Sequence, residues 1–96
     1  MLTYESIVDL VAKQICEDCE EDDYETFSDM CKINWWDTKD IREYVDYIVN
    51  SLAEKSSETF YMCDDDGDLV IETDSEIHPY REFIAAIRKA VKKMGK

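Results

Sequence analysis

The sequence has few of the residues that break chains. One proline and two glycines in 96 residues leave little material for long loops and favour helices joined by short connections. Positive charge is scarce too: eleven Lys and Arg face twenty-four Asp and Glu, a formal net charge of −13. A small domain ordinarily carries a net charge of magnitude about 2–8, so self-repulsion opposes compaction here. The balance argues against direct binding to nucleic acid or to an anionic membrane, because both repel a surface of their own sign. A basic protein surface or a divalent cation is the natural complement.

Long apolar runs are also missing. The longest is FIAAI, residues 83–87, where a bilayer-spanning helix needs about 20 residues. The first ten residues, MLTYESIVDL, carry acids where an export leader needs bases. The expectation is a cytoplasmic protein with four reduced thiols. Two glycines cannot build a Gly-rich phosphate loop. His78 is the only histidine, and no serine or cysteine can be argued to be its partner. No catalytic constellation emerges, so the expectation is a protein that is not an enzyme and takes no cofactor.

What is present suffices for a single α+β domain spanning residues 1–96. Apolar residues make up 45% of the chain and eleven positions are aromatic, which argues against disorder despite the charge. Ile7, Val8, Val11, Ile15 and Cys19 recur at helical spacing over residues 4–19, with Thr3 as N-cap. A shorter helix is expected over 23–32, entered through Asp22-x-x-Glu25. Ile41, Val45, Ile48 and Leu52 mark a third helix from Asp37 or Thr38 to about Lys55. TFYMC (59–63) and DLVIET (68–73) read as strands of a hairpin turning at DDDG, with Gly67 free to take positive φ. Ser75, or His78 before Pro79, would cap a last helix whose stripe is Tyr80, Phe83, Ile84, Ile87, Val91 and Met94, stopped by Gly95. The expected order is helix, helix, helix, hairpin, helix.

That order resembles a winged helix-turn-helix domain, a DNA-binding fold. The resemblance implies a third helix that reads DNA and a hairpin that serves as its wing. The third helix, however, contains DTKDIREYVDY, and the hairpin tip is Asp64-Asp65-Asp66-Gly67-Asp68. Both surfaces that should be basic are acidic.

The acids fall into clusters. ICEDCEEDDYE, residues 15–25, packs Glu17, Asp18, Glu20, Glu21, Asp22, Asp23 and Glu25 around two cysteines. Glu17, Glu20 and Glu21 are i, i+3, i+4 neighbours at a helix C-terminus. Each like-charge pair there costs roughly 0.2–0.5 kcal/mol, and the helix dipole disfavours negative charge at that end. Local stability therefore does not explain them, whereas Asp22, Asp23 and Glu25 can support the start of a second helix. A second cluster, Asp64 to Asp68, holds more aspartates than a turn needs. It looks like part of an EF-hand loop, but with Gly67 at the sixth position the first would be Met62 and the twelfth Thr73. Neither suits calcium. By contrast, residues 81–96 hold six bases and one acid, and bases in the last turns complement the dipole.

Cys16-x-x-Cys19 invites a zinc reading, but Cys31, Cys63 and His78 supply no second pair at short spacing. Nor does a thiol among carboxylates become a reactive thiolate. The expectation is no metal site, with cysteines inward as small hydrophobes and the acids between them outward. Trp35 and Trp36 cannot both enter one small core. They form a candidate partner-binding face with Tyr44 and Tyr47, beside Asp40, Glu43 and Asp46.

In size, acidity and lack of a catalytic motif the chain resembles, as a class, the small acidic phage-encoded inhibitors of bacterial defence: anti-CRISPR and anti-restriction proteins of the DNA-mimic type. The resemblance implies an inhibitor whose carboxylates imitate nucleic acid and occupy the basic cleft of a nucleic-acid-binding protein. The alternative is an interaction module that uses its Trp and Tyr face, with a homodimer as one outcome.

Overall fold

The computed structural model describes residues 2–73 and 76–96. Helix α1, Tyr4–Glu21, begins where the Ser6 N–H donates to the Thr3 hydroxyl at 3.1 Å. It buries Ile7, Val8, Val11, Ala12, Ile15 and Cys19, the expected stripe. Helix α2, Phe27–Ile33, is shorter and later than expected. Its cap is Thr26, which accepts from the Asp29 N–H at 3.0 Å, and residues 22–25 are spent on a turn with Asp23 at φ 60. Helix α3, Thr38–Ser56, opens with a capping box in which Asp37 and Asp40 each accept the other's backbone N–H.

The largest correction concerns the sheet. Instead of a two-stranded hairpin, three antiparallel strands lie in the order β1 (Tyr61–Cys63), β2 (Leu69–Thr73), β3 (Glu76–Pro79). The expected helix start at Ser75 lies outside the described residues, and the one at His78 is a strand residue paired with Ile71. Pro79 closes β3, one of the two edge strands, where a missing N–H is tolerated. Helix α4, Tyr80–Lys93, starts one residue later. Leu69, Ile71 and Thr73 are buried on the inner face of β2.

Cross-contacts fix the helix directions. Tyr4 stacks on His78 at 3.6 Å between ring centroids, while Cys16 Sγ lies 3.9 Å from Met94 Sδ, so α1 and α4 run parallel. The Leu2 N–H donates to Glu58 at 3.2 Å and Tyr44 bonds to Asp18, so α3 runs antiparallel to α1. Helix α2 lies at the end where α1 and α4 finish, its Phe27 N–H donating to the Lys96 carbonyl at 2.8 Å. All four helices and the sheet contribute to one cluster of buried side chains.

Candidate acidic binding surface

Helix α3 organises the acidic clusters. Residues two apart on a helix lie about 200° apart around its axis, so Arg42 and Tyr44 point to opposite flanks with Glu43 between them, exposed. On one flank the Tyr44 hydroxyl donates to Asp18 of α1 at 2.5 Å. On the other, Arg42 Nη1 pairs with Asp68 at the base of the hairpin turn at 2.7 Å. The C-terminal end of α1 and the hairpin are thereby held on either side of the first half of α3.

The α1 run divides around its helix. Asp18, which also accepts from Gln14 at 3.1 Å, faces α3 through its bond from Tyr44, and Glu17 and Glu21 are exposed beside it. Glu20 turns the other way, toward α4. It helps raise the Cys16 thiol pKa, an effect due first to burial and opposed by Lys96. Asp22, Asp23 and Glu25 are exposed in the following turn. At the hairpin, Asp64 is structural: its Oδ1 accepts from the N–H groups of Asp66 at 3.0 Å and Asp68 at 2.8 Å. Asp65 and Asp66 stand free at the tip, where Gly67 takes φ 82.

Between the flanks, Asp40 is engaged in the capping box and Asp46 is half-buried beside Arg42 and Asp68. Burial pushes the Asp46 carboxyl up; Arg42 opposes this, while Asp68 and Glu43 add to it. Asp18 and Asp68 thus lie against α3, which itself carries Asp40, Glu43 and Asp46, while Glu17 and Glu21 of α1 and Asp65 and Asp66 of the hairpin tip are exposed on the elements that flank it. Arg42 was not singled out from the sequence. A lone arginine four residues before Asp46 in an acidic helix is the signal that could have found it.

The four aromatic candidates do not form one face. Tyr44 and Trp36 turn inward and pack together, with ring centroids 5.0 Å apart. Trp35 is 90% exposed at φ 57, next to the exposed Ile33. Tyr47 is also exposed, but farther along α3, at a shallow groove with Asn50 and Glu54. Among the cysteines, Cys19 and Cys31 are buried, Cys16 is half-buried and Cys63 is exposed, so the inward expectation for the Cys16/Cys19 pair holds at Cys19 and in part at Cys16, while Asp18 between them, expected outward, is half-buried against Tyr44. Burial raises the thiol pKa of Cys16, Cys19 and Cys31. Among the described residues, no three His, Cys, Asp or Glu side chains converge as metal ligands.

Comparison with protein-family models, curated proteins and solved structures yields no match for this chain.

Proposed function

We propose that the protein is a non-enzymatic inhibitor or decoy. Its acidic surface occupies the basic cleft of a nucleic-acid-binding protein, such as a CRISPR effector or a restriction enzyme, in place of nucleic acid. The observation that carries this reading is the joining of two acidic clusters to opposite flanks of α3 through Tyr44–Asp18 and Arg42–Asp68. Carboxylates that a flexible tail would leave scattered are held on a packed frame. Duplex DNA carries about one charge per 1.7 Å of axis, and a cleft built for that density attracts a fixed array of carboxylates. Electrostatic steering makes such association fast and salt-sensitive.

The test is affinity capture from a bacterial lysate at low and at moderately high salt, followed by competition with labelled duplex for the captured protein. The expected result is a nucleic-acid-binding protein whose capture weakens with salt and is displaced by duplex. Charge reversal at Glu17, Glu21, Glu43, Asp65 and Asp66 should abolish capture in a variant that remains folded. Asp64 is left intact because it holds the turn. A captured protein that binds duplex and this chain together, or a reversed variant that captures equally well, overturns the reading.

Trp35 favours the second reading, an interaction module. A bulky residue at positive φ is strained, and exposed tryptophan is a common interface anchor. In that case Trp35→Ala would break the complex with little dependence on salt.

A further inference from the structure

The Cys16-x-x-Cys19 pair has no second pair of thiols close in sequence, but folding supplies a different sulfur. Helices α1 and α4 run parallel, and Met94, the C-cap of α4, meets α1 at Cys16. The Cys16 Sγ lies 3.9 Å from the Met94 Sδ, across 78 residues of chain. Cys19 is three residues on from Cys16, so the two are neighbours on one face of α1. Burial raises the Cys19 thiol pKa and Cys16 is the next cause, so the two thiols act on each other directly. Two thiols and a thioether therefore meet between the ends of α1 and α4.

The spacing has a chemical meaning. Two sulfurs each about 2.3 Å from one metal ion, the length of a metal–thiolate bond, subtend roughly 116° at it when they are 3.9 Å apart. That is close to the trigonal angle and leaves a third corner for Cys19. Met94 is 45% exposed and Cys16 half-buried, so an ion can enter from solvent, with buried Cys19 behind. Zinc wants four ligands in a tetrahedron, and among the described residues no third His, Cys, Asp or Glu joins the pair. Thiolate and thioether together are soft ligands that suit Cu(I). The base acting on both thiols is Lys96, whose ammonium donates to the Tyr24 carbonyl at 3.3 Å, and Glu20 opposes it at Cys16.

We infer that Cys16, Cys19 and Met94 form a binding site for a soft monovalent metal ion, Cu(I). As each sulfur–metal bond forms at a cysteine, the S–H bond breaks and its proton passes to solvent; Met94 binds through a lone pair. Copper enters and stays as Cu(I), so no electron moves. The site uses none of the residues of the acidic surface and stands whether or not that reading holds.

Ag(I), a redox-inert ion of the same charge and softness, tests it, with Cu(I) under exclusion of oxygen as the second probe. Cys63→Ser removes the exposed thiol that would compete. This protein is expected to bind one ion per chain, and the NMR signal of the Met94 methyl group should shift while that of Met62, on β1, stays in place. Met94→Leu, at an exposed position, should keep the fold by circular dichroism and weaken binding at least about tenfold. Cys16→Ala should weaken it further, and excess Zn(II) should not displace the ion. An unmoved Met94 methyl signal, equal affinity in the folded Met94→Leu variant, or displacement by Zn(II) would each overturn the assignment, and the Met94 results decide it even if Cys16→Ala fails to fold.

Discussion

At the scale of single residues, Tyr44 and Asp46 show how burial beside carboxylates shapes the α3 surface. Burial pushes the Tyr44 phenol well above its ordinary value, and the bond to Asp18 adds to the shift. A phenol harder to ionise in the folded than in the unfolded state contributes stability that is complete below its unfolded pKa, about 10, and is lost as pH rises above it. Tyr44→Phe should cost about 1 kcal/mol at neutral pH. A hydrogen bond to a charged group is worth about 1.5–3 kcal/mol when buried, and solvent reaches part of this one. Urea denaturation measures the loss. The same variant should lose less stability than the parent between pH 9 and 11; some loss remains, because burial also raises Tyr4 and Tyr80. Asp46 shifts upward as well, chiefly through burial, with Arg42 opposing. Its contribution is present below the unfolded value near 3.9 and is lost as pH rises through its folded pKa. The ionised form of Asp46 therefore costs stability, and its Oδ1 is buried without a hydrogen-bond partner. Asp46→Asn should raise stability at pH 7 by about 0.5 kcal/mol, kept small by the partial exposure of the side chain. The gain should disappear near pH 4 in melts across that range.

At the scale of elements, caps and turns decide where structure starts, and here the sequence was read well in some places and badly in others. Thr3, the third helix from Asp37, Gly67 and Gly95 were legible because each is a local rule obeyed locally. The start of α2 was misplaced because Asp22-x-x-Glu25 competes with Thr26-x-x-Asp29, and the two patterns look alike. The chain uses the second pattern and bends through the first, with Asp23 at positive φ. Strand β3 was hidden because Glu76–Pro79 is too short to show alternation, and a histidine before proline reads as a helix entry. Only pairing with β2, a tertiary event, makes it a strand. Thr26→Ala should cost about 1 kcal/mol through loss of the α2 cap, measurable by urea denaturation. At the hairpin, Asp64 and Asp65 are neighbours with different roles. Asp64→Ala removes the acceptor for two backbone donors and should loosen the turn by about 0.5–1 kcal/mol, exposing the β1–β2 amides to hydrogen exchange. Asp65→Ala should leave that exchange unchanged.

At the scale of the whole molecule, composition made the acidity legible but not its placement, since a carboxylate at position 17 or 20 counts equally until α1 is set against its neighbours. Once set, Asp18 meets Tyr44 of α3, while Glu20 lies near Cys16 and Lys96 at the end of α4. The aromatic residues were misjudged for the same reason: Tyr44 lies off the expected stripe of α3, yet α1 and α2 cover it. The placement leads to a stability argument about function. Glu17 and Glu21 are like charges at i, i+4, in the last turns of a helix with no base in its last turn, so each destabilises α1. Glu43 adds to the same field. If a partner is the reason these residues are acidic, removing their charge should stabilise the free protein while weakening the complex, the usual exchange between stability and function. Raising salt should have the same stabilising effect on the parent by screening its self-repulsion. The variant Glu17→Gln, Glu21→Gln, Glu43→Gln is therefore expected to melt several degrees higher than the parent at low ionic strength, given that 1 kcal/mol moves the midpoint by about 4–8 °C in a domain of this size. The two melting temperatures should converge as salt rises toward about 0.5 M, where the screening length is only a few ångströms. A variant that melts lower than the parent at low salt would mean that these carboxylates support the fold, and the case for an acidic surface maintained for a partner would fail with it.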